Sequence, residues 1–311
     1  MMSMKNKILR LTAPAHMIAR AARLLKAQKN SPQFVAPGHF YSPIPDVAQL
    51  ERRTGSSLAT GDFLRNIKVN DKEREAIEDD IRRYYPQFPF GEKPVPGLRY
   101  YYGNDAFSCP DAILLYTMLR RYRPRRVVEI GSGFSSALML DTDERFLEKT
   151  VSFVFIEPFP ARLVSLMTDK DKRHTIVAEP IQKIGSLELF ESLEKDDVLF
   201  IDSTHVSKTG SDVNYIFFEI LPRIREGVLV HFHDIANGFE YPLEWHKKGI
   251  HWNESYLLRA FLQFNSHYEV LFFNSHFQAS NGNKIAKEIP LYNSERGVSF
   301  WLRKLADETT T

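Results

Sequence analysis

From residue 126 onward, short continuous apolar runs alternate with stretches whose apolar residues fall at helical spacing. Val127–Ile130, Val151–Ile156, Thr175–Ala178 and Val198–Ile201 have the character of strands covered on both faces, and Val228–Asp234 reads as the fifth. Between them, Phe134–Leu140, Pro158–Leu166, Leu187–Leu193 and Lys208–Arg225 read as helices. In the last of these Val213, Ile216, Phe217, Ile220 and Leu221 mark one apolar face. Repeated strand–helix–strand units predict an α/β fold with an open parallel sheet and ligands at the carboxyl ends of its strands. Tyr268–Phe273 and Val298–Trp301 predict a closing hairpin. The polar residues 274–296 between them are too many for a tight turn and are expected to form a functional or mobile loop.

Upstream the pattern weakens. In residues 1–30, Met17, Ile18, Ala21, Ala22 and Leu25 share one face of a helix surrounded by Arg20, Arg23 and Lys26. Such a basic amphipathic helix can lie on an anionic membrane surface, pack on the domain, or pack on a second copy in a homo-oligomer; an organellar transit peptide has a similar composition. Residues 31–60 are rich in proline and turns, with Pro37-Gly38-His39-Phe40-Tyr41 at their centre. They are expected to run extended, either lining a substrate entrance or strapped to the surface. Asn70–Tyr85 alternates charges around Ile77 and Ile81 and reads as a solvated helix. The proline-rich Gln87–Gly97 is the expected boundary. The division that results is a basic helix over 1–30, a proline-rich strap and helix over 31–97, and a catalytic domain over 98–311. A helix over Pro110–Arg121 opens that domain, with Ser108 and Asp111 at capping-box spacing.

Composition narrows the class. The chain has 311 residues, 43% of them hydrophobic and 26% charged, as in ordinary globular proteins. One cysteine, Cys109, excludes a disulfide framework and leads us to expect a reducing compartment, the cytoplasm, with the basic terminus as a means of peripheral membrane contact. The seven cations of residues 1–30 face no Asp or Glu there, so the rest of the chain is net acidic and no nucleic-acid partner is expected.

Candidate chemistry collects at the predicted strand tips. Gly131-Ser132-Gly133 joins the first strand to its helix, where bare N–H groups can approach a ligand. A dinucleotide fingerprint needs a third glycine where Ser136 stands, which disfavours an NAD oxidoreductase. Glu157 ends the second strand, where a carboxylate can accept both hydroxyls of a ribose; the alternative is a helix N-terminal charge. The fourth strand ends in Asp202 with His205 three residues on, and the fifth in His233-Asp234. His231 shares a face with His233 but lies deeper, as a core residue would. A metal-dependent hydrolase built on His231, His233 and Asp234 is the rival, although no further ligand follows at suitable spacing. Between Ile235 and Glu254, the aromatic residues Phe239, Tyr241, Trp245 and Trp252 either face an acceptor or pack the loop down.

Taken in order, VVEIGSGFSSA (127–137), FIEP (155–158), FIDSTHVSKTGSDV (200–213) and GVLVHFHDI (227–235) resemble bacterial class I S-adenosylmethionine (SAM) methyltransferases. The branch concerned includes O-methylating enzymes of small molecules and polysaccharides. The likeness extends to HWNESYLLRAFL (251–262) and back to GHFYSPIP (38–45), covering about residues 35–305. It implies a Rossmann-like seven-stranded methyltransferase sheet, mostly parallel with the last strand antiparallel, behind an N-terminal helical and proline-rich extension. It implies SAM held by Glu129, Gly131, Ser132, Gly133 and Glu157, with Phe107 and Ser108 over the methionine end and Glu179–Gln182 beside the adenine. The expected reaction is O-methylation of a small-molecule or glycan acceptor. Asp202, His205, His233 and Asp234 are the candidate catalytic residues, and Asp202, His233 and Asp234 the candidate ligands of a divalent metal such as Mg²⁺. A SAM-fold scaffold without activity is the non-enzymatic alternative.

Overall fold

The computed structural model describes residues 33–53 and 62–306. The chain divides between Thr54 and Gly55 into two compact units. In the first, Gly38 adopts a positive φ of 84° and donates its N–H to the Ile44 carbonyl, closing a turn that presents His39, Phe40 and Tyr41 as a ring cluster. Helix α1 (Val47–Arg53) follows. The basic face of residues 1–30 lies outside the described residues.

The second unit holds a seven-stranded sheet in the order β3-β2-β1-β4-β5-β7-β6. Its strands are β1 (Arg126–Ile130), β2 (Ser152–Ile156), β3 (Thr175–Val177), β4 (Val198–Ile201), β5 (Leu229–Phe232), β6 (Tyr268–Phe273) and β7 (Phe300–Lys304). β1 to β5 are parallel, and β7 inserts antiparallel between β5 and β6. Every central strand is buried on both faces, and alternate residues feed two cores. Val127, Phe153, Val198, Phe200 and Leu229 enter one; Val128, Ile130, Leu199, Ile201 and Val230 enter the other. This is the expected fold, reached through the expected strands.

Four local expectations change. Helix α2 (Asp71–Tyr84) is capped by the Asn70 side chain, which accepts the Glu73 N–H at 3.0 Å. It is not solvated all round: Ile77 and Ile81 are fully buried in the same core as helix α3 (Cys109–Tyr122). Its charges are also paired with the body, through Glu73 and Asp80 to Arg121. The boundary expected near Gly97 therefore falls inside one unit.

At the start of α3 no capping box forms. Ser108 donates its hydroxyl to Asp111 at 2.8 Å, and Asp111 accepts the N–H groups of Val298 and Ser299 and the Asn274 amide. An acid placed for a cap ties α3 to the approach of β7 instead. The helix expected over Lys208–Arg225 begins only at Asp212, and turns through a π segment at Ile216–Ile220 before ending at Arg223.

The longer helices that follow are α4 (Phe134–Phe146) after the glycine turn, α5 (Glu254–Leu262), and α6 (Asn274–Glu288), with short ones at Ala161–Leu166, Glu188–Glu191 and Leu243–Lys247. Helix α6 occupies the stretch expected as a loop. Its buried face is Asn274, Phe277, Gly282 and Ile285, one helical stripe in which polar and glycine residues hide the apolar period.

Candidate active site

The turn after β1 is shaped to hold a ligand. Gly131 has φ 81°, and a Cβ there would stand 1.8 Å from the Asp202 carbonyl oxygen, so only glycine lets β1 and β4 tips close up. Beneath the turn, Glu129 is fully buried and accepts hydroxyls from Ser135 (2.5 Å) and Ser136. Burial pushes its carboxyl up to about 8, against the pull of those two hydroxyls. Glu129 lines none of the clefts described below. It accepts hydroxyls from the first turn of α4, which it braces.

Three joined clefts lie along the strand tips. The first, about 360 Å³, is bounded by Gly131, Glu157, Phe159, Pro180, Ile181, Gln182, Asp202 and Lys208. The second, about 130 Å³, continues from Gly131, Glu157 and Asp202 past Ser132, Gly133, Ala106 and Phe107, with Arg162 as its one lining cation. The third, about 460 Å³, takes over at Ala106 and Phe107 and is lined by Ser108, His233, Asp234 and Trp245.

Glu157 stands between the first two clefts, where its carboxylate accepts the Phe159 N–H at 2.8 Å and the Ser132 N–H at 3.3 Å. Ser132 carries a buried hydroxyl with no protein partner, an atom that a polar ligand would satisfy. Adenosyl and methionyl groups fit this cradle of glycine backbone, carboxylate and unpaired hydroxyl. Of the two residues expected over the methionine end, Phe107 lines the second and third clefts and Ser108 the third.

At the junction of the clefts four titratable side chains from three elements meet. His205 Nε2 lies 3.3 Å from Asp202 and 3.4 Å from Asp234, and its Nδ1 is 2.8 Å from Glu254 at the start of α5. His205 and Asp234 both hold positive φ, 58° and 59°, uncommon backbone that turns their side chains toward each other. The Asn253 and Glu254 N–H groups donate to the His205 carbonyl, and the Trp252 ring covers the imidazole at 4.3 Å. Burial disfavours a charged imidazole here, but the three carboxylates outweigh it and raise His205 well above its ordinary value. Asp202 is lowered despite burial, by His233 and His205; Asp234 is raised by burial in spite of the same two rings.

The ligand-type atoms of Asp202, His205 and Asp234 lie within 4.8 Å of one another. His233 is not in that group. Its ring stacks on Phe107 at 5.0 Å and lines the third cleft, so the candidate metal set changes from Asp202, His233 and Asp234 to Asp202, His205 and Asp234. Two carboxylates and an imidazole fit a divalent ion, and Glu254 is placed to orient the imidazole from behind. Burial opposes charge on His233 too, yet Asp202, Asp234 and Asp111 raise it.

His231 is a core residue. It stacks on Phe200 at 3.8 Å, neither nitrogen has a partner, and burial lowers it well below the ordinary histidine value. A hydrolase centre on His231, His233 and Asp234 is not formed. Of the loop aromatics, Phe239 and Tyr241 are buried, while Trp245 faces the third cleft. Glu254 and Arg162 escaped sequence reasoning, while Trp252, one of the loop aromatics singled out there, covers the His205 ring. Glu254 reads as an ordinary acid in a helix first turn, and nothing local reports its partner 49 residues away.

Residues 128–235 match the family model of a methyltransferase domain. A protein of Archaeoglobus fulgidus, itself uncharacterized, is 32% identical over 178 residues, covering 56% of this chain and 80% of that one. Among solved structures, the O-methyltransferase TomG of Streptomyces achromogenes, involved in tomaymycin synthesis and bound to SAM, is similar at 15% identity. The match covers 83% of this chain and 96% of that one, with a TM-score of 0.40. A methyltransferase of Podospora anserina bound to S-adenosylhomocysteine gives 14%, 85%, 99% and 0.41. No helix among the described residues is long and apolar enough to cross a membrane. With the motif turn, the sheet order and the matched domain model together, residues 128–235 form a methyltransferase domain of the class I, SAM-dependent type.

Proposed function

We propose that the enzyme methylates a hydroxyl oxygen of a small-molecule or glycan acceptor seated in the third cleft. The observation that carries this is the meeting of clefts at one cluster. Asp202 lines the two cofactor clefts, Asp234 lines the acceptor cleft, and His205 lies between them within 3.4 Å of both. SAM supplies an electrophilic methyl group on a sulfonium. The protein must align an oxygen with it, exclude water and remove the hydroxyl proton. Phe107 separates and joins the two sites, presenting one surface to the cofactor tail and another to the acceptor.

Asp234 and His233 face the acceptor side and are the groups within reach of its proton. A cation held by Asp202, His205 and Asp234 would lower the pKa of an acceptor hydroxyl. The imidazole in that set favours Mn²⁺, Co²⁺ or Zn²⁺ over Mg²⁺, which prefers oxygen alone.

Asp234→Ala should lower kcat by a factor on the order of 10²–10⁴ while the affinity for SAM, read by calorimetry, stays within a few-fold. Chelation followed by metal add-back separates the routes. Activity restored by Mn²⁺ or Zn²⁺ assigns the cation; full activity after chelation assigns proton removal to His233 or Asp234. Unimpaired turnover in both Asp234→Ala and His205→Ala would remove the site.

A further inference from the structure

The acceptor cleft does not end at Trp245. It opens past Pro242, Glu295 and Arg296 into a second chamber of about 480 Å³, which shares those three residues with it. The far walls come from the loop after β5, through Asn237 and Glu240, and from α6 and the segment after it, through Ser275, Gln278 and Asn293. Each chamber alone is in the range of a small-molecule site, roughly 300–1,000 Å³. One ring beside Asp234 leaves the second chamber empty.

The lining has a definite chemistry. Carboxylates of Asp105, Asp111, Asp234, Glu240, Glu244 and Glu295 surround the two chambers, against the guanidinium of Arg296 and the His233 imidazole. Such a field disfavours an anionic acceptor and tolerates a neutral or cationic one. The second chamber has only Ala236, Ala279 and Pro242 as apolar lining, so it offers no pocket for a large apolar group. Of its amides, Gln278 commits both N–H donors to the Tyr292 and Glu295 carbonyls and keeps acceptor capacity only on its oxygen, while Asn237, bonded to the His276 ring through its oxygen, and Asn293 also line the chamber, a polar surface suited to hydroxyls.

We propose that the two joined chambers form an acceptor groove for a neutral or amino-sugar oligosaccharide of at least two rings, with methyl transfer to the ring beside Asp234 and the neighbouring ring held against α6. This rests on the O-methyl transfer read above and adds the acceptor's length and charge.

The full-length protein, saturated with S-adenosylhomocysteine, is applied to immobilised neutral, amino and uronic acid oligosaccharides of one to four units, with cationic peptides of matched length alongside. Retention should appear on neutral or amino sugars and strengthen roughly tenfold from one unit to two, the size of one added polar contact set. Ala279→Trp, on the exposed side of α6, fills the second chamber. It should abolish the gain from the second unit while the rise in melting temperature given by S-adenosylhomocysteine persists.

Length-independent retention, equal retention of uronic acids, retention of peptides only, or no retention at all overturns the proposal. So does an Ala279→Trp variant that keeps the gain. A wild-type protein that S-adenosylhomocysteine fails to stabilise takes down the cofactor reading and the groove together, so the two failures are told apart by the melting curve.

Discussion

Glu129 shows how an acidic residue at a motif position can serve the fold. It is buried beneath the glycine turn, two serine hydroxyls donate to it, and its pKa rises to about 8 from an ordinary 4.5. An acid whose folded value is raised binds more protons folded than unfolded, so its contribution is full below about 4.5 and is lost as pH climbs through about 8. Each pH unit inside that window removes up to about 1.4 kcal/mol. Glu129→Gln keeps an uncharged acceptor for one serine and cannot ionise. Its melting temperature should gain on the wild type between pH 5 and pH 8 and run parallel above; a difference curve flat over that window would show that Glu129 ionises freely. The site residues differ in legibility for a related reason. Gly131, Glu157, Asp202 and Asp234 sit at strand tips whose period is visible in sequence. Glu254 reaches His205 from another element, and no local pattern encodes that distance.

Among the elements, the central strands and α3 were legible because burial on both sides demands unbroken apolar runs. Two helices were misread for opposite reasons. α2 carries so many charges that its two isoleucines look incidental, although both are fully buried and the charges pair with Arg121. α6 hides its buried stripe behind Asn274 and Gly282, where Asn274 serves Asp111 and Gly282 lies against Asn293. Ile77→Ala and Ile81→Ala should each destabilise the protein by about 2–5 kcal/mol, the range for truncating a buried aliphatic. Urea titration checks this; a loss below about 0.5 kcal/mol, typical of an exposed site, would return α2 to the surface.

For the whole molecule, the compact units divide between Thr54 and Gly55, and residue 97, where the prolines led us to expect a boundary, lies inside the second. A chain starting at residue 55 should fold cooperatively and be stabilised by S-adenosylhomocysteine. A chain starting at residue 98 lacks α2 and should expose the core under it, unfolding at lower temperature with little response to the same ligand. Equal melting curves for the two would place the boundary back at the prolines. Prolines mark where a helix cannot run, and here they mark a tight passage over the domain: Tyr102 and Gly103 donate back to Gly91 and Glu92 within that stretch.

Period and turn chemistry were sufficient for the α/β sheet and its closing hairpin, because each follows from contacts close along the chain or from a repeated burial rule, while the cofactor class and the antiparallel last strand came from the resemblance of the ordered strand-tip motifs to a known family. Tertiary structure alone decided which imidazole joins the two aspartates, which carboxylate holds that imidazole, and that the acceptor cleft has a second chamber. Those depend on side chains brought together from separate elements, and the free energy that selects such pairings appears only once the elements are packed.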